Sequence, residues 1–412
     1  MSLAQALARL GKTLSRPFRP RMLESAPART PKRFVFLSDQ LPLTRKEYRI
    51  VAHVQKWTRT VIQRREAYLR EQGLDSAVHF PKGIWQLEGG EGLYAGFRHI
   101  CEGDHATVSC LRLYCQHFTG FRLASMEFAE GKPFPTPEEV RRLDGWLATI
   151  AATPNFAVER YRRIAEQLPP ELRIDPPRAF GEIGWLVGNR IVSSDTCVYQ
   201  ERMAILHETG ILRELKERQR VRGASGQPLR IVEIGGGYGG LAYHLKKYLP
   251  GVQYFIVDIP ESLVFASIYL SVLFKNEKNV CLLFEDKPRS LQQRRPGFTF
   301  VPNFLFDKVA ASDVKFDLAL NTLSMSEMGS EQVRYYCEGI KKLLAPDGVF
   351  FEQNQDNQHL GKLDARTIIT EHFPHKIELE SKLSPGLMTQ GRAHIWSNNP
   401  VDFSPASGAR AA

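Results

Sequence analysis

The residues best suited to chemistry in this 412-residue chain lie around one glycine-rich turn. Glu233 stands near the end of a short apolar run, and Gly235, Gly237 and Gly239 follow it at alternate positions. A strand, a glycine turn and a helix in succession bring backbone close to an adenosine-type cofactor. A second carboxylate, Asp258, follows the next apolar run, where it can accept hydrogen bonds from both ribose hydroxyls. These residues predict a cofactor site.

Two cofactors compete for this turn. Gly235, Gly237 and Gly240 match the G-x-G-x-x-G fingerprint of dinucleotide sites, whereas Glu233 and the alternate glycines match the acidic-x-G-x-G-x-G pattern of S-adenosylmethionine-dependent methyltransferases. A pyrophosphate is an anion that favours bare amides at a helix N-terminus, so a carboxylate two residues before the first glycine would repel it. The same carboxylate suits the cationic aminopropyl part of S-adenosylmethionine. Asp258 fits either cofactor, and a βα turn that binds no ligand is the third alternative.

The elements around the turn favour S-adenosylmethionine. Apolar runs predict strands, with helices between the first five, at 229–234, 253–257, 298–301, 316–320, 349–352, 376–380 and 393–396. A further apolar run at 279–284 competes with 298–301 for the third position, and we expect it to be an added edge strand. Seven strands that end in a hairpin-like pair are typical of the α/β, Rossmann-like sheet of class I methyltransferases. A nicotinamide-binding domain normally continues as parallel βαβ units.

The chain before this sheet has a different character. Apolar residues at helical spacing predict helices over 44–72, 136–151 and 156–167, and therefore a mostly helical N-terminal domain. A further helix, reaching to about residue 220, should precede the first strand. The chain is thus divided into a basic flexible extension (1–36), the helical domain (37–178), the methyltransferase domain (179–400) and a tail (401–412).

The net charge of +10 is concentrated near the N-terminus. Residues 1–70 hold 16 Lys or Arg against four Asp or Glu, a balance of +12 that leaves −2 for the rest. A catalytic half without a basic face argues against a nucleic-acid substrate. The basic extension, with leucines at helical spacing over 2–18, is either a solvated tail or a surface attracted to an anionic membrane or a polyanionic substrate.

Composition also bears on the compartment. No apolar run approaches the roughly 20 residues of a membrane span, and the N-terminus lacks the pattern of a secretory signal. The six cysteines form no C-x-x-C pair, which is typical of reduced thiols. We therefore expect a cytoplasmic protein, with the basic extension as its point of contact if it meets the inner membrane.

Longer motifs narrow the prediction. In chain order they are Gly181-Glu-Ile-Gly-Trp185, Tyr199-Gln-Glu-Arg202, Val232-Glu-Ile-Gly-Gly-Gly-Tyr-Gly239, Asp258-Ile-Pro-Glu-Ser262 and Ser324-Met-Ser-Glu-Met328. Across residues 180–330 the sequence resembles the sugar O-methyltransferases of bacterial surface-polysaccharide loci. The resemblance covers more than a third of the chain. It implies S-adenosylmethionine as the cofactor and a hydroxyl of a sugar or glycan as the acceptor; a methyltransferase that acts on another small molecule, RNA or protein is the alternative.

Five further residues are predicted to contact the cofactor. Tyr199 and Arg202 precede the first strand, where they can reach the methionine carboxylate, although ordinary helix packing explains them equally well. Ile259 follows the second-strand carboxylate. Asn303 follows the third strand, near the expected adenine, and Asn321 follows the apolar run of the fourth, at the edge where α/β sheets bind ligands.

The remaining candidates concern the acceptor. A sugar hydroxyl is a poor acid, so methylation of its oxygen needs a general base or a metal. No His/Asp/Glu cluster has metal-ligand spacing, and we therefore expect a metal-free base. Glu327 is the first candidate, because its loop follows the fourth strand; its alternative role is to cap the next helix. Glu352 and His359 are the reserves, and Ser324 and Ser326 either bind substrate hydroxyls or only shape the turn.

Overall fold

The central feature of the protein is one mixed sheet. A computed structural model describes residues 33–80, 91–115, 137–151, 156–292, 295–354, 363–379 and 392–401. The strands are β1 (Phe34–Val35), β2 (Gly184–Val187), β3 (Arg190–Val192), β4 (Arg230–Ile234), β5 (Gln253–Asp258), β6 (Val280–Cys281), β7 (Gly297–Pro302), β8 (Phe316–Thr322), β9 (Leu344–Gln353), β10 (His375–Glu378) and β11 (His394–Ser397). The helices are α1 (Arg45–Glu71), α2 (Ser76–His79), α3 (Glu91–Glu102), α4 (His105–Ser109), α5 (Leu111–Tyr114), α6 (Pro137–Ala151), α7 (Phe156–Gln167), α8 (Ser194–Glu208), α9 (Ile211–Ala224), α10 (Gly240–Tyr248), α11 (Pro260–Leu273), α12 (Phe306–Ala310), α13 (Ser330–Leu343) and α14 (Ala365–His372).

The order of strands identifies the fold. Within the described residues the large sheet has eight strands in the order β10-β11-β9-β8-β4-β5-β7-β6. Neighbouring strands are parallel except at β11, which is antiparallel to both β9 and β10. This confirms the predicted α/β fold, a Rossmann-like class I methyltransferase sheet in which the reversed strand is inserted next to the fifth. As the sequence indicated, β7 is the third strand of that sheet and β6 is an added strand at the edge.

The strands in the middle of the sheet are apolar because both of their faces are covered. Tyr254, Phe255, Ile256 and Val257 of β5 are completely buried. Parallel strands that are covered on both faces read as continuous apolar runs, which is why the sequence located them. The helix that follows, α11, is buried along almost its whole length, because it packs against the sheet and against α1.

The N-terminal part is mostly helical, as predicted, and α1 attaches it to the sheet. Thr44 caps α1 by accepting a hydrogen bond from the backbone of its first turn. The indole of Trp57 donates to the Leu282 carbonyl at 2.9 Å. Arg65 forms a buried ion pair with Glu261 at 3.1 Å. These contacts fix the long helix on the sheet through α11 and the segment after β6.

A small antiparallel sheet of β1, β2 and β3 was not predicted. Phe34, at the end of the predicted extension, pairs with Trp185. Strands of two to four residues are too short to show alternation, and the partner lies far along the chain. Residues 1–32 and 402–412, which hold the rest of the predicted extension and tail, lie outside the described residues.

A helix that reaches about residue 220 was predicted before β4; helical structure does extend that far, but it is interrupted. The chain forms two helices, α8 and α9, which are separated at Gly210. Gly210 has a φ of 80°, a conformation that breaks a right-handed helix and that glycine adopts without strain. None of the described helices combines the length and the hydropathy that a membrane span requires.

A short segment around α2 is held against the sheet by its backbone. The side-chain amide of Gln332 donates to the carbonyls of Val78 and Phe80, each at 3.0 Å. The side-chain amide of Asn303 donates to the carbonyl of His79 at 2.7 Å. Three consecutive carbonyls therefore dock on two amide side chains of the sheet domain.

Candidate functional site

The candidate site lies at the carboxyl edge of the large sheet. The chain crosses to β5 on one side of β4 and to β8 on the other, and open α/β sheets bind ligands at such a switch point. Most residues of these strands are buried, but Gly235, Gly237, Asp258, Ile259 and Ser324 are half-exposed here. The glycine turn, the second-strand carboxylate and the loop after β8 therefore come together at one edge.

The glycine turn needs glycine for its backbone conformation and for its close contacts. Gly235, Gly237 and Gly239 have positive φ angles of 72°, 55° and 87°. The Gly237 amide donates to the carboxylate of Asp258 at 3.2 Å. A Cβ on Gly235 would lie 2.1 Å from the hydroxyl oxygen of Ser324. A side chain at this point would displace either the turn or the loop after β8.

Glu233 is buried directly before the turn. Its Oε2 accepts a hydrogen bond from the Tyr254 hydroxyl at 2.8 Å. Burial raises the pKa of Glu233 to about 7; the Tyr254 hydrogen bond and the Arg202 charge oppose the shift, and Asp258 adds to it. A carboxyl with this pKa ionises readily when a cation binds beside it.

Arg202 brings a positive charge from α8 to the same region. It is 4% exposed, and its Nε donates to the side-chain oxygen of Gln353 at 3.2 Å. Within the described residues its Nη2 is buried without a hydrogen-bond partner. Burial lowers the pKa of Arg202, and the nearby Glu233 opposes that shift. A buried guanidinium N–H without an acceptor is unfavourable, so this group fits an anionic ligand.

Tyr199, the other α8 candidate, packs against the turn. Its ring lies on the first turn of α10, where a Cβ on Gly240 would be 2.3 Å from the ring. The centroid of the ring is 5.9 Å from that of Tyr238, which is part of the glycine motif. Tyr199 therefore supports the shape of the turn, and its contact with a cofactor stays a prediction.

A buried arginine supports the same turn from the N-terminal side. Arg112 donates to Glu182 and to Asp195, each at 2.7 Å. Its guanidinium lies 3.8 Å from the ring centroid of Tyr238. Although burial opposes its charge, the two carboxylates hold the pKa of Arg112 well above its ordinary value. Removing one partner of a buried ion pair costs about 3–5 kcal/mol, so this cluster fixes Tyr238 firmly.

Asp258 and Ile259 lie beside the turn at the end of β5. One oxygen of Asp258 accepts from the Ile259 amide at 2.8 Å, and the other accepts from the Ser262 hydroxyl at 3.0 Å. Burial of the carboxyl raises the pKa of Asp258 to about 7 against these hydrogen bonds, although the residue as a whole is half-exposed. The carboxylate is thus held in place and remains partly accessible.

Asn303 lies at the other side of the edge, after β7. It is buried, and its amide holds the His79 carbonyl. Its side-chain oxygen is buried without a hydrogen-bond partner among the described residues. Burial and the charge of Asp258 raise the pKa of Tyr336, which packs in the same region. Contacts of Ile259 and Asn303 with an adenine stay predictions.

A polar network shapes the loop after β8. The amide of Asn321 donates to the Ser324 hydroxyl at 2.6 Å and to the Ile234 carbonyl at 2.9 Å. The Asn354 amide donates to the side-chain oxygen of Asn321 at 2.9 Å. Asn321 therefore ties the loop to the strand that precedes the glycine turn.

The hydroxyl groups of the loop are engaged within it. Ser324 donates to the Ile234 carbonyl at 3.2 Å, and Ser326 donates to the Leu323 carbonyl at 2.6 Å. Leu323 has a φ of 72°, an unusual conformation for a residue with a side chain and one that is often found at functional sites. Both hydroxyls shape the turn, and their binding to a substrate stays a prediction.

The reserve base Glu352 is completely buried and paired with a histidine. Its Oε1 accepts two hydrogen bonds from Asn354, at 2.7 Å and 2.9 Å, and its Oε2 lies 3.2 Å from Nδ1 of His394. Asn321, Glu352 and His394 are direct partners across β8, β9 and β11, so they lie on one face of the sheet. A carboxylate with both oxygens engaged can orient the imidazole, as in a catalytic triad.

The other two base candidates are Glu327 and His359. Glu327 is half-buried at the end of the 3-10 turn Ser324–Glu327 and lies at the same edge. The capping-box contact at the start of α13 is made by Gln332, whose side chain accepts from the Gly329 amide at 2.9 Å. His359 lies outside the described residues.

Four residues of this site were missed by the sequence patterns. They are Tyr254, Gln353, Asn354 and His394, and each makes its contact across strands or from a strand to a helix. Such contacts depend on strand register, which apolar periodicity does not supply. The one available signal was the polar sequence at the end of β9, directly after its apolar residues.

We expect Gly235→Ala to lower the free energy of unfolding by clearly more than Gly226→Ala. Both glycines have positive φ angles, of 72° and 68°, so both substitutions incur a backbone cost of about 1–2 kcal/mol. A Cβ at Gly226 meets nothing within 4 Å, whereas one at Gly235 meets Ser324. Overpacking should add about 1–3 kcal/mol in urea unfolding. Ser324→Gly should remove most of that difference, and equal costs at the two glycines would contradict the contact.

No protein-family model matches the chain, and no curated protein matches it by sequence. Human methyltransferase-like protein 13, in complex with SAH, is a similar solved structure with a TM-score of 0.32, 14% identity and coverage of 47% of this chain and 81% of that one. The bifunctional kinase-methyltransferase WbdD gives a TM-score of 0.29, 15% identity and coverage of 47% and 40%. Magnesium protoporphyrin IX methyltransferase from Synechocystis PCC 6803, with bound SAM, gives a TM-score of 0.27 and 13% identity, with coverage of 59% of this chain and 92% of that one.

Proposed function

We propose that the protein is an S-adenosylmethionine-dependent O-methyltransferase that methylates a sugar hydroxyl in the biosynthesis of a bacterial surface polysaccharide or glycan. The choice of cofactor is supported mainly by Arg202, whose buried guanidinium has Nη2 unpartnered among the described residues. The buried carboxyl of Glu233 lies near it. Together they offer a cation for a carboxylate and a carboxyl for an ammonium. This arrangement complements the amino-acid end of S-adenosylmethionine, and a dinucleotide has no such end.

The rest of the site is compatible with the same cofactor. Asp258 would accept hydrogen bonds from the ribose hydroxyls, and Ile259 and Asn303 would contact the adenine. Tyr199 and Asn321 would hold the turn and the loop around it. When bound, S-adenosylmethionine supplies an electrophilic methyl group to the acceptor oxygen.

The acceptor is inferred from the motifs at 258–262 and 324–328, which resemble those of sugar O-methyltransferases. The hydroxyl oxygen gains the methyl group and loses its proton, so a side chain must accept that proton. Glu327 is the proposed base, because it is half-buried and ends the 3-10 turn whose Ser324 contacts Gly235. His394, paired with Glu352, is the alternative.

We expect the full chain to bind S-adenosylhomocysteine and Arg202→Met to weaken that binding about 10- to 150-fold, the effect of losing about 1.5–3 kcal/mol of charge-assisted hydrogen bonding. Titration calorimetry measures it. Lys216→Met, which removes an exposed cation from α9, is the matched control and should leave the affinity unchanged. Failure of the wild-type protein to bind the ligand would reject the proposed cofactor.

The affinity for S-adenosylhomocysteine should also rise with pH between 6 and 8. Glu233 and Asp258 have pKa values raised to about 7, so below that pH they are mostly protonated in the free protein. A ligand that needs them ionised must displace these protons, and each group then lowers the affinity about tenfold at pH 6 relative to pH 8. Calorimetry in buffers of different ionisation enthalpy should record proton release at pH 6. An affinity that falls as pH rises would refute the role of both carboxylates.

The acceptor and the base can be tested together. Incubation with methyl-labelled S-adenosylmethionine and a panel of sugar nucleotides and lipid-linked glycans should place label in the sugar fraction. With an acceptor in hand, Glu327→Gln should lower turnover by about 10²–10⁴-fold while the affinity for S-adenosylhomocysteine stays within about twofold. Undiminished turnover would move the base to His394. Label in RNA or protein, and none in sugar, would reject the proposed acceptor.

A further inference from the structure

A cavity with a volume of about 330 Å³ lies away from the sheet edge and shares no residue with the site described there. It lies between α7 and the β2–β3 hairpin. Its lining includes Tyr161, Arg162 and Glu166 from α7, Arg173 from the loop that follows, and Val187 and Arg190 from the hairpin. Three arginines against one glutamate give the lining an excess of positive charge.

The three guanidinium groups retain unused donors within the described residues. Arg190 pairs with Asp175 at 3.1 Å and also donates to the Arg173 carbonyl. Arg173 donates its Nε to the Leu168 carbonyl at 2.9 Å, which leaves both of its terminal nitrogens. Among the described residues, no hydrogen bond or ion pair engages Arg162. Each guanidinium carries five N–H donors, so the cavity offers many more donors than its own structure uses.

Tyr161 adds a hydroxyl to this positive lining. The residue is 6% exposed, and its hydroxyl interacts with Arg190. Burial raises the pKa of Tyr161. The charges of Arg190 and Arg173 oppose this shift without reversing it. The hydroxyl therefore keeps its proton at neutral pH and is available as one more donor.

We propose that this cavity binds the phosphate group of a small organic phosphate. A tetrahedral dianion accepts hydrogen bonds from several directions, which suits donors carried by a helix, a loop and a hairpin. A planar carboxylate, in contrast, is satisfied by one bidentate arginine. The volume exceeds that of a bare phosphate and falls within the range of ligand pockets. Val187 and the ring of Tyr161 offer apolar surface to the rest of such a ligand, which could be the size of a sugar.

The test uses the full chain and radiolabelled inorganic phosphate in equilibrium dialysis. At physiological ionic strength, which screens non-specific attraction, the wild-type protein should bind phosphate saturably in the millimolar range or tighter. Ribose 5-phosphate should compete more strongly than inorganic phosphate, and acetate should compete weakly. No saturable binding, or acetate competing as well as phosphate, would overturn the proposal.

Matched variants locate the binding. Arg162→Gln should weaken phosphate binding by about tenfold or more. Arg163→Gln, its exposed neighbour paired with Glu159 on α7, should leave binding unchanged. Equal weakening by both variants would indicate general charge attraction and reject the site. Saturating S-adenosylhomocysteine should not displace the phosphate; displacement would place the anion at Arg202 and also overturn the proposal. The phosphate result does not depend on methyl transfer, so the two proposals can fail separately.

Discussion

The arrangement of the site depends on the glycines of the turn after β4, whose lack of side chains lets two other elements approach it closely. The hydroxyl of Ser324 occupies the space that a Cβ of Gly235 would need, and the ring of Tyr199 occupies the space beside Gly240. Glycine thus lets the loop after β8 and the helix α8 contact the turn directly. Because Asn321 holds that loop from the end of β8 and Arg202 belongs to α8, their positions follow from the same close packing.

Three buried ionisable side chains supply the charges of the site. Burial raises the pKa values of Glu233 and Asp258 to about 7. Arg202 is buried, and one of its donors has no partner among the described residues. Groups of this kind are unfavourable in an empty protein, and a ligand with complementary charges relieves them. The charge of Arg112, in contrast, is paired with the carboxylates of Glu182 and Asp195. Arg112 therefore supports the fold around Tyr238, whereas Arg202 is the cation that the proposed cofactor would use.

Much of the fold could be predicted because parallel strands that are covered on both faces appear in the sequence as long apolar runs. The edge position of β6 was predicted because two such runs, at 279–284 and 298–301, compete for the third place in the sheet. Glu233 and Asp258 were found because they follow such runs. The pair of Glu352 and His394 was not, since only strand register brings β9 and β11 opposite each other. The break at Gly210 was missed because one glycine within a helical pattern does not reveal its backbone angle.

The docking of the α2 segment has a consequence for how the sequence can vary. Its three hydrogen bonds are accepted by main-chain carbonyls at 78–80, so they do not depend on which side chains those positions carry. Gln332 and Asn303 supply every donor. Related chains can therefore drift at 78–80 and keep these hydrogen bonds, whereas loss of either amide would leave at least one of these carbonyls without its donor.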